Sequence, residues 1–441
     1  MENNPFQKVF AINLRRRPER WQRFCDRLPE DWPFAEPERF EAVDGETVTP
    51  PSWWNGGRGA WGCYRSHVSV LETCLNEEID SVLILEDDAV CVDEFGRKVE
   101  MFFENLPNDW RMIYLGGQHL ELEKRLPRKI NDWIYAPYNV NRCHAYGFRN
   151  RQAIETAYRH LQEFSDWNAL HHVDHRFGEL HKKSGNGIYV PEEWLVGQSE
   201  GDSDICGDKL GLRFFTDTKD IVEPMTDLPG VAILGNYLCG TNMVAGVLRC
   251  LGFSLGKDYK SPVQENMPDF FEDHVLDRIL RNCIEEPWMN ELLPFEERVS
   301  HLRRWAGIQC KYKTPGMTHY VAKHPILSVM GPELMKAWND PRFIVVDRND
   351  DFDPMRIDNV NWRWHERAVQ YIQKSMKKER EYFLETFQPK LLRLHYEAVK
   401  KEPEEAVRKI SLFLGHTASE ERMTKAVKLV EWCENDLCYI Q

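Results

Sequence analysis

An apolar run that ends in three adjacent acids constrains this chain more than any other feature: Ser81-Val-Leu-Ile-Leu85 passes directly into Glu86-Asp87-Asp88. A short apolar run bounded this way reads as a strand buried on both faces, and open α/β sheets bind ligands at the carboxyl ends of their strands. Three carboxylates therefore stand where a ligand is expected. Oxygen donors of this kind suit a hard divalent cation, Mg²⁺ or Mn²⁺, holding a diphosphate. The plainer reading is an acidic exit into a turn, where Asp is common.

Upstream, Val9-Phe-Ala-Ile-Asn13 reads as a strand, followed by Leu14-Arg15-Arg16-Arg17 and a helix opened by Pro18. That arrangement offers cations and free helix N–H groups to an anion. Arg16, Arg17 and Arg23 are expected on a solvated face, as runs of charge usually are. Further blocks are Arg39-Phe-Glu-Ala-Val-Asp44-Gly45, Gly62-Cys63-Tyr64-Arg65-Ser66-His67, Trp110-Arg-Met-Ile-Tyr114-Leu-Gly116, His172-Val173-Asp174 and Gln198 with Ser203-Asp204-Ile205. In this order they resemble glycosyltransferase family 25, which includes lipopolysaccharide sugar transferases and collagen galactosyltransferases.

The resemblance implies a GT-A-like nucleotide-sugar domain. It also implies transfer of a hexose from a UDP-sugar donor to an acceptor hydroxyl, with Mn²⁺ or Mg²⁺ as cofactor. Asn13, Leu14, Arg15 and Arg20 would then hold the nucleotide, Asp88 and Glu86 the metal, and Asp87 a supporting place beside them, with Glu86 also near the ribose. Asp44 is either a donor contact or a simple turn residue before Gly45. His67 is either a hydrogen-bonded core histidine or part of the site. Asp174, within His171-His172-Val173-Asp174-His175, has three readings: general base, third metal ligand, or N-cap of a helix starting near Arg176.

The chain of 441 residues exceeds one core. Its expected division is residues 1–218, a linker at 219–229 and a second domain at 230–441. A net charge of −14 argues against a generally basic nucleic-acid surface. Twelve scattered cysteines without a disulfide-like framework, and no secretory signal, favour a cytoplasmic setting. Val231 to Gly256 is apolar enough to suggest a membrane span, but Gly235, Asn236, Gly240, Thr241, Asn242 and Gly246 interrupt it, so a buried strand–loop–helix unit is expected.

That unit would cradle a phosphate through backbone N–H groups. It resembles the 5′-phosphosulfate loop of sulfotransferases. Phe271-Glu272-Asp273, Ala322-Lys323-His324-Pro325, the strand Arg342 to Asp347 with Arg348, and Leu391 to Glu397 extend the likeness. The whole chain is thus expected to be α/β, a GT-A-like domain followed by a P-loop sulfotransferase-like domain. The second resemblance implies Gly240, Thr241, Asn242 and Arg348 on the phosphates of 3′-phosphoadenylyl sulfate, with Glu272 or Lys323 in chemistry. Leu238 stands where that family usually has a basic residue, Arg356 where it has a serine, and Asp350-Asp351 add negative charge.

The second domain is accordingly an active sulfotransferase, an acceptor-binding module without cofactor, or a transferase using another nucleotide-linked donor. For the whole chain the alternatives are a bifunctional enzyme or a non-catalytic carbohydrate- or nucleotide-binding protein. Acceptor candidates are a saccharide, a hydroxylated side chain or a modified nucleobase. Trp53, Trp54 and Trp61 either stack on a sugar or pack the core. Strands are expected near 8–13, 81–86, 110–115 and 186–190, then 231–235, 318–323, 342–347 and 391–395. Helices are expected at Met355 to Met376, Lys377 to Thr386, Pro403 to Leu414 and Ser419 to Glu431.

Overall fold

Alternation along the strands sets the architecture. In a computed structural model, which describes residues 4–163, 172–184, 186–202, 205, 209–256, 271–313, 316–349 and 364–433, the chain forms two compact units, Met1–Val222 and Glu223–Gln441.

The first unit opens with strand β1 (Lys8–Asn13), helix α1 (Pro18–Asp26), strand β2 (Glu38–Glu41), helix α2 (Gly57–Asn76), strand β3 (Val82–Glu86) and strand β4 (Ala89–Cys91). Its eight-stranded sheet has the order β2, β1, β3, Val140–Phe148, Met112–His119, Ile188–Pro191, Ile134–Ala136, Arg128–Lys129. β1 lies parallel to β2 and β3, while Val140–Phe148 inserts antiparallel between β3 and Met112–His119. Phe10, Ile12, Val82 and Ile84 enter one core and Val9, Ala11, Leu83 and Leu85 the other. Both faces are covered, which explains why β1 and β3 read as continuous apolar runs. The register sets Glu86 opposite Ile12, and Asp87 N–H donates to the Ile12 carbonyl, so the acids emerge beside the exit of β1. β4 pairs with Val196–Gln198, which folds Gln198 back toward the acids.

The second unit has four parallel strands in the order Tyr320–Lys323, Gly230–Leu234, Arg342–Asp347, Lys390–His395. Val231, Ile233, Ile344 and Val346 face one core; Ala232, Leu234, Phe343 and Val345 face the other. The expected strand–loop–helix is present as Gly230–Leu234 followed by the helix Thr241–Leu251. Among the described residues no helix is long and apolar enough to cross a membrane.

Four differences from expectation have physical causes. Val140–Phe148 was not anticipated as a strand because Asn141, Arg142 and His144 break its apolar pattern; Asn141 and His144 are nonetheless buried. The helices expected to meet near Met376 and Lys377 are one continuous helix, Glu366–Phe387, since no glycine or proline separates them; residues 355–363 lie outside the described residues. The start of the expected linker is instead the helix Thr218–Val222, held to the first unit by the His119–Thr218 hydrogen bond (3.0 Å), by Lys219 N–H on the Glu192 carbonyl (3.0 Å) and by buried Ile221 and Val222. Nine described cysteines are free, but Cys433 is disulfide-bonded, against the expectation of free thiols alone.

Candidate active site

The carboxyl end of β3 opens into a cleft of about 1440 Å³ within the first unit. One wall is α1, whose Arg20 and Arg23, with Arg27 at its C-cap, recur at helical spacing and continue the edge begun by Arg16 and Arg17. Another is α2, which approaches closely because two glycines permit it. A Cβ on Gly45 would lie 2.2 Å from the Arg58 carbonyl oxygen, and one on Gly62 would lie 2.6 Å from the Gly45 nitrogen. Ser66 Oγ, accepting from Val43 N–H at 2.9 Å, fixes the same contact. Cys63 and His67, one helical turn apart, are thereby aimed at the β3 terminus. Asp174, His172 and His175 line the cleft from the helix Val173–Ser184 and the residue before it, and Arg142 and Arg213 line it as well.

The three acids have distinct environments. Asp87 turns inward, accepting from Asn13 Nδ2 at 2.6 Å and pairing with Arg20. Burial raises its carboxyl even against those partners. Burial also acts to raise Glu86, but the hydrogen bond and charge of His67 (3.3 Å) outweigh it and leave the carboxyl below its usual value. Asp88 is different. Its Oδ2 receives only a 3.4 Å contact from Gln198, and its Oδ1 is buried without a partner. Burial, then the charges of Glu86 and Asp87, push its carboxyl up to about 8. Asp88 with Glu86 fits a hard divalent ion by donor type and by this orphaned oxygen.

The other anticipated residues are brought together only in part. Leu14, Arg20, Asp44, His67 and Asp174 line the cleft. Asn13 does not: it is buried, with its amide taken up by Asp87, the Arg17 carbonyl and Arg39 Nε (2.8 Å). Arg15 is exposed and is not part of the lining either. Arg16 and Arg23 are exposed and Arg17 half-buried, as expected of a solvated face, and that face also forms part of the cleft wall. Asp44 both turns the chain, accepting from Glu46 N–H at 3.0 Å, and pairs with Arg16 at 2.8 Å. His67 is buried and meets Tyr146 Oη at 2.8 Å, so the core and site readings coincide. Asp174 lies inside the first helical turn, where its Oδ1 accepts from His175 N–H at 2.9 Å. Trp54 and Trp61 pack together at 5.0 Å and neither they nor Trp53 lines the cleft. His171, Ser203 and Asp204 lie outside the described residues.

Sequence reasoning missed Cys63, Arg142 and Arg213 as cleft residues. Arg142 sits at φ +79° where the pairing of Val140–Phe148 with Met112–His119 is irregular, a sparsely populated conformation for which the sequence holds no signal. Cys63 was legible only as the residue one turn before His67. Burial, then the charges of Glu86, Asp174 and Asp88, hold its thiol well above the usual value.

In the second unit the loop between Leu234 and Thr241 turns through Leu238 at φ +60° and Gly240 at φ +109°, and buried Thr241 and Asn242 begin the helix. The cations flanking this loop are engaged. Arg348 donates to the Leu238 carbonyl at 2.7 Å and stacks on Tyr396 at 4.1 Å, and Lys323, 4 % exposed, pairs with Glu272 at 2.8 Å. Arg348 and Lys323 thus have protein partners beside a loop in which Leu238 takes the place of a basic residue. Arg356, Asp350 and Asp351 lie outside the described residues.

β3, parallel to β1, delivers clustered acids into an arginine-walled cleft in the first unit. Residues 6–162 match the model for glycosyltransferase family 25 (LPS biosynthesis protein), and residues 368–432 match the model for a sulfotransferase domain. The chain is thus similar to family 25 over its first region and to a sulfotransferase domain over a later one. Procollagen galactosyltransferase 2 of Mus musculus is 30% identical over 149 residues, covering 29% of this chain and 24% of the relative. The inactive glycosyltransferase 25 family member 3 of Mus musculus is 30% identical over 141 residues, 27% of this chain and 24% of that one. The chain therefore spans about a quarter of the length of these curated relatives. Among solved structures, the sulfotransferase domain from the curacin biosynthetic pathway covers 47% of this chain and 80% of its own at 11% identity and a TM-score of 0.29. A Mycobacterium avium sulfotransferase covers 47% and 69% at 12% identity and a TM-score of 0.31.

Proposed function

We propose that the first unit transfers a hexose from a UDP-sugar to an acceptor hydroxyl, with Mn²⁺ or Mg²⁺ held by Asp88 and Glu86. The observation that carries this reading is Asp88, a cleft carboxylate with a buried, unpartnered oxygen and a strongly raised proton affinity. A bound divalent ion would supply charge neutralisation to the departing diphosphate. The arginines of α1 face the same space and bind the diphosphate electrostatically. Asp87, tied to Asn13 and Arg20, positions the exits of β1 and β3 against each other and leaves Asp88 turned to the cleft.

Asp174 is assigned the proton of the acceptor. The acceptor oxygen forms a bond to the anomeric carbon, the bond from that carbon to the diphosphate breaks with its electron pair leaving on UDP, and the hydroxyl proton passes to the Asp174 carboxylate. The second unit, with Lys323 and Arg348 already engaged, is assigned acceptor binding and not sulfate transfer. Incubating the full chain with UDP-hexoses and Mn²⁺ and following UDP release tests the reading: release that stops in excess chelator and in Asp88→Ala is expected, and unchanged release in either would refute it.

A further inference from the structure

Cys63 and His67 stand at positions i and i+4 of α2 and so share one face of the helix, directed at the β3 terminus. A ligand atom from each, together with a Glu86 carboxylate oxygen, lies within 4.8 Å of the other two. All three residues line the cleft, so a cation can reach them. A thiolate, an imidazole and a carboxylate form a set unlike the all-oxygen donors that Mg²⁺ or Mn²⁺ selects. They match a borderline-soft ion such as Zn²⁺ in a three-ligand open site.

The hydrogen bonding of His67 permits ligation. Its Nδ1 meets Tyr146 Oη at 2.8 Å, and a hydroxyl can accept as well as donate. When a cation displaces the proton that Nε2 shares with Glu86, Nδ1–H donates to Tyr146, Nε2 presents its lone pair to the cation, and the ring is held in the orientation a ligand needs. A second trio in the other unit, Glu272, Asp277 and His324, fails this requirement. There Nδ1 of His324 accepts from Ile326 N–H at 3.1 Å, so Nε2 carries the proton, and the Lys323 ammonium already occupies Glu272.

We propose that Cys63, His67 and Glu86 form a binding site for a divalent cation of the Zn²⁺ class, with donors distinct from the hard oxygen site at Asp88 except for the shared Glu86. Occupancy draws Glu86 toward the thiolate, so Zn²⁺ at this site competes with the oxygen-site cation and acts as an inhibitor. The site itself stands on donor geometry and does not depend on the sugar reaction.

The test is optical. Full-length protein stripped with chelator is titrated with Co²⁺, which reports a thiolate ligand through a near-ultraviolet charge-transfer band. Wild type is expected to show the band and to lose it when equimolar Zn²⁺ is added. Cys63→Ser removes the band, while Tyr146→Phe keeps it with Co²⁺ binding weakened by roughly tenfold or more. Absence of the band in wild type, or its persistence in Cys63→Ser, would overturn the proposal. If Cys63→Ser does not fold, X-ray absorption of the wild-type Zn²⁺ complex decides: one sulfur with one imidazole supports the site, and oxygen-only ligation refutes it.

Discussion

Replacing Asp88 with Asn should stabilise the metal-free protein, and the gain should grow with pH. The folded first unit holds the Asp88 proton up to about 8, whereas an unfolded Asp releases it near about 3.9. Between those values the native state binds more protons than the unfolded one. Stability associated with this group is therefore present below the lower value and is lost as pH rises, by at most about 1.4 kcal/mol per unit. The full window corresponds to about 5–6 kcal/mol as an upper bound, and the hydrated cleft reduces the realised effect to about 2 kcal/mol. Asn keeps the shape and removes the charge. For a unit of this size the expected rise in melting temperature is roughly 4–8 °C at about pH 8 and under about 2 °C at about pH 5. Differential scanning in chelator measures it, on the transition that Mn²⁺ shifts in wild type. A variant less stable than wild type at the higher pH, or an equal gain at both, would refute the reasoning.

Other substitutions separate the remaining roles. Asp174→Asn should lower sugar turnover strongly, by about 100-fold or more, with little change in melting temperature; equal turnover would leave Asp174 a purely structural first-turn residue. Arg20→Leu leaves Asp87 with Asn13 as its principal partner and should destabilise the first unit by about 3 kcal/mol, an effect that Asp87→Asn in the same chain partly reverses in thermal melts. Titration with adenosine 3′,5′-bisphosphate should give weak binding that Glu272→Gln strengthens by releasing Lys323; tight wild-type binding, unchanged in the variant, would contradict the assignment of the second unit.

Legibility in the sequence followed the apolar pattern and failed where polar residues were buried. β1 and the strand Arg342–Asp347 form at the anticipated residues because both are continuous apolar runs covered on two faces. Glu86, Asp87 and Asp88 were recognisable at the end of such a run. Their division of labour was not, because it depends on Asn13 and Arg20 turning Asp87 inward, a contact across 74 and 67 residues. The same limit hid Val140–Phe148, whose Asn141 and His144 look like loop residues until the fold encloses them. The arginine run is solvated as its charge indicates, but sequence spacing gives only a helical face and not the cleft which that face confronts.

Calorimetric titration of UDP into the full chain, with Mn²⁺ and in excess chelator, tests the central claim most directly. The account predicts binding that requires the divalent ion and is lost in Asp88→Asn, whose fold the thermal melts verify. UDP binding of equal strength in chelator, or undiminished in Asp88→Asn, would contradict the assignment of the β3 acids to a metal–diphosphate site.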